Sequence, residues 1–424
     1  MAWKPLIQLR RYIQSSLWVV PFIAIPFELV ATRLVHRLDA WLGWPFLAIA
    51  VPGAQATLQA IVTATLSFIV FTFGSLLVAI QVASAQMTPR IIATTLLRDN
   101  VVKYTVGLFI FSFLFALSAQ NRMTDQVNEF FLFTAACLGV FCFAAFFYLI
   151  DYASRLLRPI SILTRVGNRG LEVIRSVYPE MSLDPDSQGR RPALASPGRV
   201  IPHEGTSEII LAVDLEKLVD EAERANGIIE FVPQVGDFVA LDEPLFNLYG
   251  GAAKLDEGAL RAAVLCGPER TMEQDPTFAF RIVIDIALKA LSPAINDPTT
   301  AVLAIDQLHR MLRMVGKRHL RTDEIFGASG EFRVFFRTPN WEDFVHLAFS
   351  EIRACGSSNL QIVRRLRAMI ENLIQTLPVH RQPALLQELG LLDREIEKQF
   401  SSPEELSLAR IADSQGLGGH SGKS

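Results

Sequence analysis

The sequence is poor in the features that build a disulfide scaffold, a zinc site or a nucleic-acid surface. Cysteine occurs only four times in 424 residues. Cys137, Cys142, Cys266 and Cys355 never form a C-x-x-C pair, which makes both a disulfide framework and a zinc site poor readings. The formal net charge is -3 and no dense basic tract occurs, which argues against nucleic acid as a partner. There is no P-loop, no dinucleotide fingerprint and no recognisable nucleophile–base pair. The sequence therefore names no catalytic residue, no metal ligand and no cofactor.

What it has in excess is apolar length. Mean hydropathy is +0.30, and 17 of the 29 phenylalanines lie in the first 150 residues. Four apolar segments stand out: residues 16–31, 56–89, 101–120 and 130–150. A helix crossing a bilayer needs about 20 apolar residues, so the last three qualify and the first, broken by Pro21, Pro26 and Glu28, is marginal. A cleaved signal peptide is the competing reading of the first, but Pro26 and Glu28 stand where a small-residue cleavage site belongs, which favours a retained helix. The expected fold class is a membrane α-helical domain of four transmembrane helices with an α+β cytoplasmic region. That region holds a small β-rich module and a mainly helical one. Lys4, Arg10, Arg11, Arg90, Arg98, Lys103, Arg155, Arg158, Arg165 and Arg169 flank one side of the spans; Arg33, Arg37 and Arg122 flank the other. Positive charge stays inside, so the expectation is a multi-pass membrane protein with both termini cytoplasmic.

The second segment is too long for a simple span. From Ala56 to Met87 a helix runs roughly 48 Å against a hydrocarbon core of about 30 Å. Thr63, Ser67, Gly74 and Gln81 recur on it at helical spacing, with Ser84 three residues further on. Such a stripe reads either as close helix–helix packing or as the lining of a pore or path. Glu28, a carboxylate inside an apolar helix, is a further path candidate; its plainer reading is a side chain reaching the outer interface.

Beyond the spans, residues 156–197 read as a juxtamembrane helix, with arginines that would meet anionic headgroups, and a linker rich in Pro, Ser, Asp and Gly. Residues 198–252 alternate short strands with tight turns. Their stretch "GIIEFVPQVGDFVALDEPLFNLYG" resembles half of a biotinyl/lipoyl-type sandwich, but the nearest lysine, Lys254, lies outside the hairpin, so a swinging-arm cofactor is not expected. Residues 253–402 read as mainly helical, with a strand in "GEFRVFFRTPNW" and a very basic "IVRRLRAM" helix. Residues 403–424, Gly/Ser-rich at the end, read as a flexible tail.

The break "SPAINDP" lies between two helical runs. Pro293 ends one helix near Leu291, and Asp297 is placed to cap the next with Pro298 at its first position. The rival reading is a pocket in which Asn296, Asp297 and Asp275 hold a cation or polar ligand.

These motifs together resemble the bacterial membrane proteins grouped as domain of unknown function 2254. The resemblance rests on "QVASAQMTPR", on Arg270, Thr271, Gln274 and Asp275, and on the run from Ala290 to Ala301. It covers roughly residues 10 to 400 and implies the topology and a bacterial inner membrane, not an activity. One departure is Ala294, where glycine is expected. On this reading Ser84, Gln86 and Arg90, at the end of the second helix, meet Arg270, Thr271, Gln274, Asp275, Ser292, Asn296 and Asp297 as a coupling or ligand-binding cluster. The leading function is a homo-oligomeric channel or transporter gated by its cytoplasmic domain, acting on an ion or small ligand. The alternatives are a non-transporting scaffold or sensor, and a membrane-anchored enzyme using Asp275 and Asp297 with Arg270.

Overall fold

The computed structural model describes residues 19–42, 50–86, 100–122, 127, 129–156, 158–181, 196–320 and 324–419. The chain divides into two compact units, Pro5–Ser161 and Ile162–Ser424.

The first unit is a bundle of four helices: α1 (Val19–Leu42), α2 (Val51–Gln86), α3 (Asn100–Asn121) and α4 (Glu129–Leu156). Among the described residues, three are long and apolar enough to cross a membrane: Val51–Val82, Asn100–Asn121 and Glu129–Arg155. The first segment does form a continuous helix through Pro26, but it also carries Glu28, Arg33, Arg37 and Asp39 and is not one of those three. The central helix is α3, which packs on the other three. Its own small residues permit the approach: a Cβ on Gly107 would stand 2.8 Å from Val20 Cγ1 of α1. Two apolar clusters fill the bundle. One joins Leu58, Phe115 and Phe131, the other Phe68, Phe109 and Cys142. Cys142 Sγ lies 3.1 Å from Ser112 Oγ inside the bundle.

The second unit opens with α5 (Pro159–Val177), followed by β1 (Arg199–Pro202), β2 (Glu208–Val213), α6 (Leu215–Arg224), β3 (Gly227–Phe231), β4 (Phe238–Val239) and β5 (Pro244–Gly250). Then come α7 (Glu257–Arg261), β6 (Val264–Gly267), α8 (Pro276–Ala290), α9 (Pro298–Val315), β7 (Glu324–Phe326) and β8 (Phe332–Phe336). The chain closes with α10 (Trp341–Gly356), α11 (Leu360–Thr376), α12 (Gln382–Gln399) and α13 (Pro403–Ala409). The β-rich part does not stop at residue 252. Its five-stranded sheet runs β1-β5-β3-β8-β7, and a second sheet runs β4-β2-β6. β8 enters parallel to β3, pairing Ile229 with Val334. One core holds both sheets together: Ile210, Phe231, Phe246, Leu260 and Val334 all lie in it. Sequence proximity hides this, because the strand that completes the sheet lies about a hundred residues downstream.

The amphipathic α5 buries Ile162, Leu163, Val166 and Ile174 within the second unit. It lies against α8 and α9, where a Cβ on Gly170 would meet Met311 Sδ at 2.6 Å and Ala279 Cβ at 2.9 Å. The "basic" helix α11 is likewise an interior element. Arg364 is fully buried, Arg365 pairs with Asp306 at 2.6 Å, and Arg367 pairs with Asp393.

The end of the chain departs from the flexible-tail reading. After α13, residues 411–419 fold onto α11. Arg364 donates to the carbonyls of Ile411, Gly418 and Gly419 at 3.1, 3.0 and 2.8 Å. Asp413 accepts from the backbone N–H groups of Gln415, Gly416 and Gly418. Gly416 and Gly418 take φ of 70° and 76°, which a glycine adopts at no steric cost. The composition suggests disorder because the residue that orders the segment lies some fifty positions upstream. Replacing Arg364 by Ala strands three carbonyls in a cavity, and the expected loss is about 2–4 kcal/mol. A lower melting temperature with early proteolysis inside 411–419 is the expected result; an unchanged protease pattern counts against the docked tail.

Candidate functional site

The Arg270–Asp275 segment is a latch between the β core and the helices. Asp275 caps α8 by accepting from Phe278 N at 3.0 Å and also accepts from Thr277 Oγ1. Its other oxygen receives Arg270 Nε at 2.8 Å. The carboxylate is almost wholly buried while Arg270 keeps about a third of its side chain exposed. Burial pushes the Asp275 carboxyl above its ordinary range; Arg270, Thr277 and the Phe278 N–H pull the other way. The Arg270 guanidinium also lies 5.9 Å from the Phe278 ring centroid. Gln274 works beside it as a surrogate strand residue: its Oε1 accepts from Val213 N at 2.9 Å, and its Nε2 donates to Val213 O at 3.4 Å. Thr271 is half-buried in the same turn.

Two members of this cluster escape the sequence reading. Gly236, at φ 95°, lies so close that a Cβ there would stand 2.2 Å from Arg270 Nη2 and 2.4 Å from Asp275 Oδ2. The only signal for it is the V-G-D turn, which reads as a generic tight turn. Tyr178 is buried with its ring edge-on to Phe344 at 6.2 Å. Its phenol is pushed up by burial and by the carboxylates of Asp275 and Asp343.

"SPAINDP" is a tight connection in which Ser292 and Asp297 bond to neighbouring residues of the same turn. Asp297 caps α9, accepting from Thr300 N at 3.0 Å and from Thr300 Oγ1. Ser292 Oγ donates to Lys289 O at 2.6 Å. The chain reverses at Asn296, exposed and at φ 48°, and Asp297 N then donates to Ala290 O at 2.8 Å. Asp275 precedes the first turn of α8, whereas Asn296 and Asp297 follow its last. With 15 residues between them, the two ends lie about 22 Å apart at 1.5 Å per residue. Asn296, Asp297 and Asp275 therefore do not converge on one ligand, and Asp275 and Asp297 cannot share a substrate as an acid–base pair. The pocket that the sequence allowed is two separate helix caps.

In the bundle, Thr63, Ser67, Gly74 and Gln81 all face outward, away from the other helices. Nothing lies within 4 Å of a Cβ at Gly74. The hydroxyls of Thr63 and Ser67 turn back to the carbonyls of Gln59 and Thr63, at 2.9 and 2.8 Å. Among the described residues no other helix packs against the stripe. Glu28 does the reverse of reaching for an interface: it is 3 % exposed and accepts from Thr32 Oγ1 at 2.6 Å. The side chains of Ser84 and Gln86, and all of Arg90, lie outside the described residues, so their meeting with Arg270 is not part of the description.

Two tests follow from the caps. Asp297→Ala is expected to lower stability by about 1 kcal/mol, and Asp297→Asn or Ser by only a few tenths; equal losses from Ala and Asn, read by thermal unfolding, overturn the cap role. For Asp275 the folded-state pKa is raised, so the native state holds the proton more tightly than the unfolded chain does. Between the ordinary value of 3.8 and the raised one, stability falls as pH rises. The stability difference between wild type and Asp275→Asn is therefore expected to favour wild type most near pH 4 and to shrink on going toward neutrality. A difference that grows with pH contradicts the assignment.

Comparison with known proteins agrees with the apolar bundle. An uncharacterized protein of Mycobacterium bovis and two of Mycobacterium tuberculosis are each 24 % identical over 418 residues, covering 94 % of this chain and 79 % of theirs. No solved structure matches. The family described as "Predicted membrane protein (DUF2254)" matches residues 14–372, a range that takes in the bundle, the Arg270–Asp275 latch and the "SPAINDP" turn. The chain belongs to this family of membrane proteins.

Proposed function

We propose that copies of this chain assemble through the outward face of α2 around a path for an ion or small solute. On this reading all four helices cross an inner membrane, both termini are cytoplasmic, and the Ile162–Ser424 unit gates the path by a shift between populated states. The observation that carries the reading is the stripe of Thr63, Ser67, Gly74 and Gln81, which is exposed and uncovered among the described residues. Small residues on a membrane helix let a second helix approach closely, and their hydroxyls and amide supply polar groups along an axis. The 36-residue length of α2 is consistent with a helix that emerges from the bilayer and transmits movement. Glu28, held inside the bundle with Thr32, adds a buried carboxyl group in keeping with such a path. The lysine and arginine distribution supports the orientation.

The scaffold or sensor reading predicts the same topology without flux. The two are separated in liposomes holding the full-length protein. Wild type is expected to pass monovalent ions, and Gln81→Leu to lower the rate at least tenfold without loss of protein. Gly74→Leu is expected to shift the assembly toward monomer by native mass spectrometry. Absence of flux for wild type under every ionic condition, with a monomeric mass, sinks the channel reading and leaves the scaffold.

A further inference from the structure

We infer that residues 411–419 are a displaceable strap over a seat for phosphate-type oxyanions, with Arg364 of α11 at its centre. The inference rests on the Ile162–Ser424 unit alone and holds whether or not the protein conducts anything.

Arg364 is the exception on its helix. Arg365 and Arg367 pair with Asp306 and Asp393, whereas Arg364 has no carboxylate within ion-pair reach among the described residues. It is nevertheless fully buried. A buried guanidinium is costly unless both its donors and its charge are met. The strap meets the donors, with one carbonyl each on Nε, Nη1 and Nη2, from Ile411, Gly418 and Gly419. These carbonyls bring dipoles and no negative charge. An oxyanion on the same fork brings the charge and a bidentate geometry as well. Gln361 Nε2 adds a donor, to Gly416 O at 2.6 Å. Four nitrogens thus serve four strap oxygens. A phosphate carries that number and a carboxylate half of it, which favours phosphate.

The strap itself is lightly held. Of residues 411–419 only Asp413 and Gly416 are buried, and Leu417 is 78 % exposed. Asp413 spends its carboxylate inside the strap, on the N–H groups of Gln415, Gly416 and Gly418. Its own N–H adds one further tie to the helix, to Arg364 O at 3.1 Å. A segment with so little buried apolar surface opens locally at a free energy well below that of global unfolding.

Opening changes the charge of the seat. The strap carbonyls return to water and leave the Arg364 fork and the Gln361 amide as free donors. Arg365 stands beside them, since a Cβ on Gly416 would lie 3.3 Å from Arg365 Cδ. Asp306 stays engaged by Arg365 at 2.6 Å, and Asp413 departs with the strap. The emptied seat is electropositive, so strap and oxyanion compete for one fork.

Full-length protein in non-ionic detergent tests this with inorganic phosphate as the probe. Binding is read from the phosphorus NMR line width, and strap opening from hydrogen exchange in 411–419. Two variants loosen the strap without touching the donors of the seat. Asp413→Ala removes the acceptor of three strap N–H groups. Gly416→Val places a branched side chain at φ 70°, where a Cβ would stand 2.6 Å from Val302 Cγ1. Apparent affinity scales with the fraction of open seat, so each is expected to bind phosphate at least tenfold tighter than wild type. Adding Arg364→Gln to either is expected to abolish that gain. In wild type, phosphate is expected to speed exchange of the strap, and chloride at equal ionic strength is not. Either loosened variant alone keeps the test open should the other fail to fold. Wild-type affinity in a folded variant whose strap exchange is raised overturns the proposal, because an Arg364 that only orders the segment gives no gain. Equal action of chloride overturns it too, as does acetate binding as tightly as phosphate.

Discussion

A single buried carboxylate, Asp275, closes the junction on which the second unit depends. It caps the start of α8, neutralises Arg270 and stands against Gly236, a turn position where no side chain fits. Each of these tasks constrains the others. The charge is expensive to bury, so it requires Arg270 and two further donors. Those donors in turn fix the start of α8 relative to the sheet that carries Gly236, and Gln274 extends the same junction to the end of β2. Small displacements are not available to such an arrangement, because guanidinium, carboxylate and glycine backbone are already at contact distance.

The sequence made some of this legible and hid the rest for physical reasons. Helices and caps are local, so Asp297 and Pro298 announce the start of α9 and the proline-rich break announces the end of α8. The strand in residues 330–341 is equally visible as a run of β-formers. Its partner is not, because parallel pairing with β3 is a relation between segments about a hundred residues apart. The same limit applies to the tail. A Gly- and Ser-rich end with no apolar periodicity has no reason to fold until Arg364 supplies donors for its carbonyls. Proximity in sequence also misled: Arg270, Asp275, Asn296 and Asp297 look like one polar cluster in a string, yet a helix of 15 residues holds them apart.

Charge in α11 shows why composition alone assigns surfaces badly. A run with arginines at 364, 365 and 367 reads as a solvated basic face, but all three guanidinium groups are buried. They are paired in different ways. Arg365 and Arg367 pair with carboxylates on α9 and α12, whereas Arg364 takes only backbone carbonyls.

The outward stripe of α2 has an energetic structure of its own. Thr63 and Ser67 satisfy their hydroxyl protons on the preceding turn of the same helix, so facing hydrocarbon costs them little. They tolerate lipid without requiring a partner. Gln81 differs, since a primary amide carries two donors and an acceptor that its own helix does not meet in that manner. Gly74 differs in another respect: with no atom within 4 Å of its missing Cβ, it leaves a notch that only a closely approaching surface fills. The gain on covering this face is therefore uneven, small at Thr63 and Ser67 and concentrated at the turns of Gly74 and Gln81. An assembly built on α2 would draw its specificity from that half of the helix, the half that holds Gly74 and Gln81.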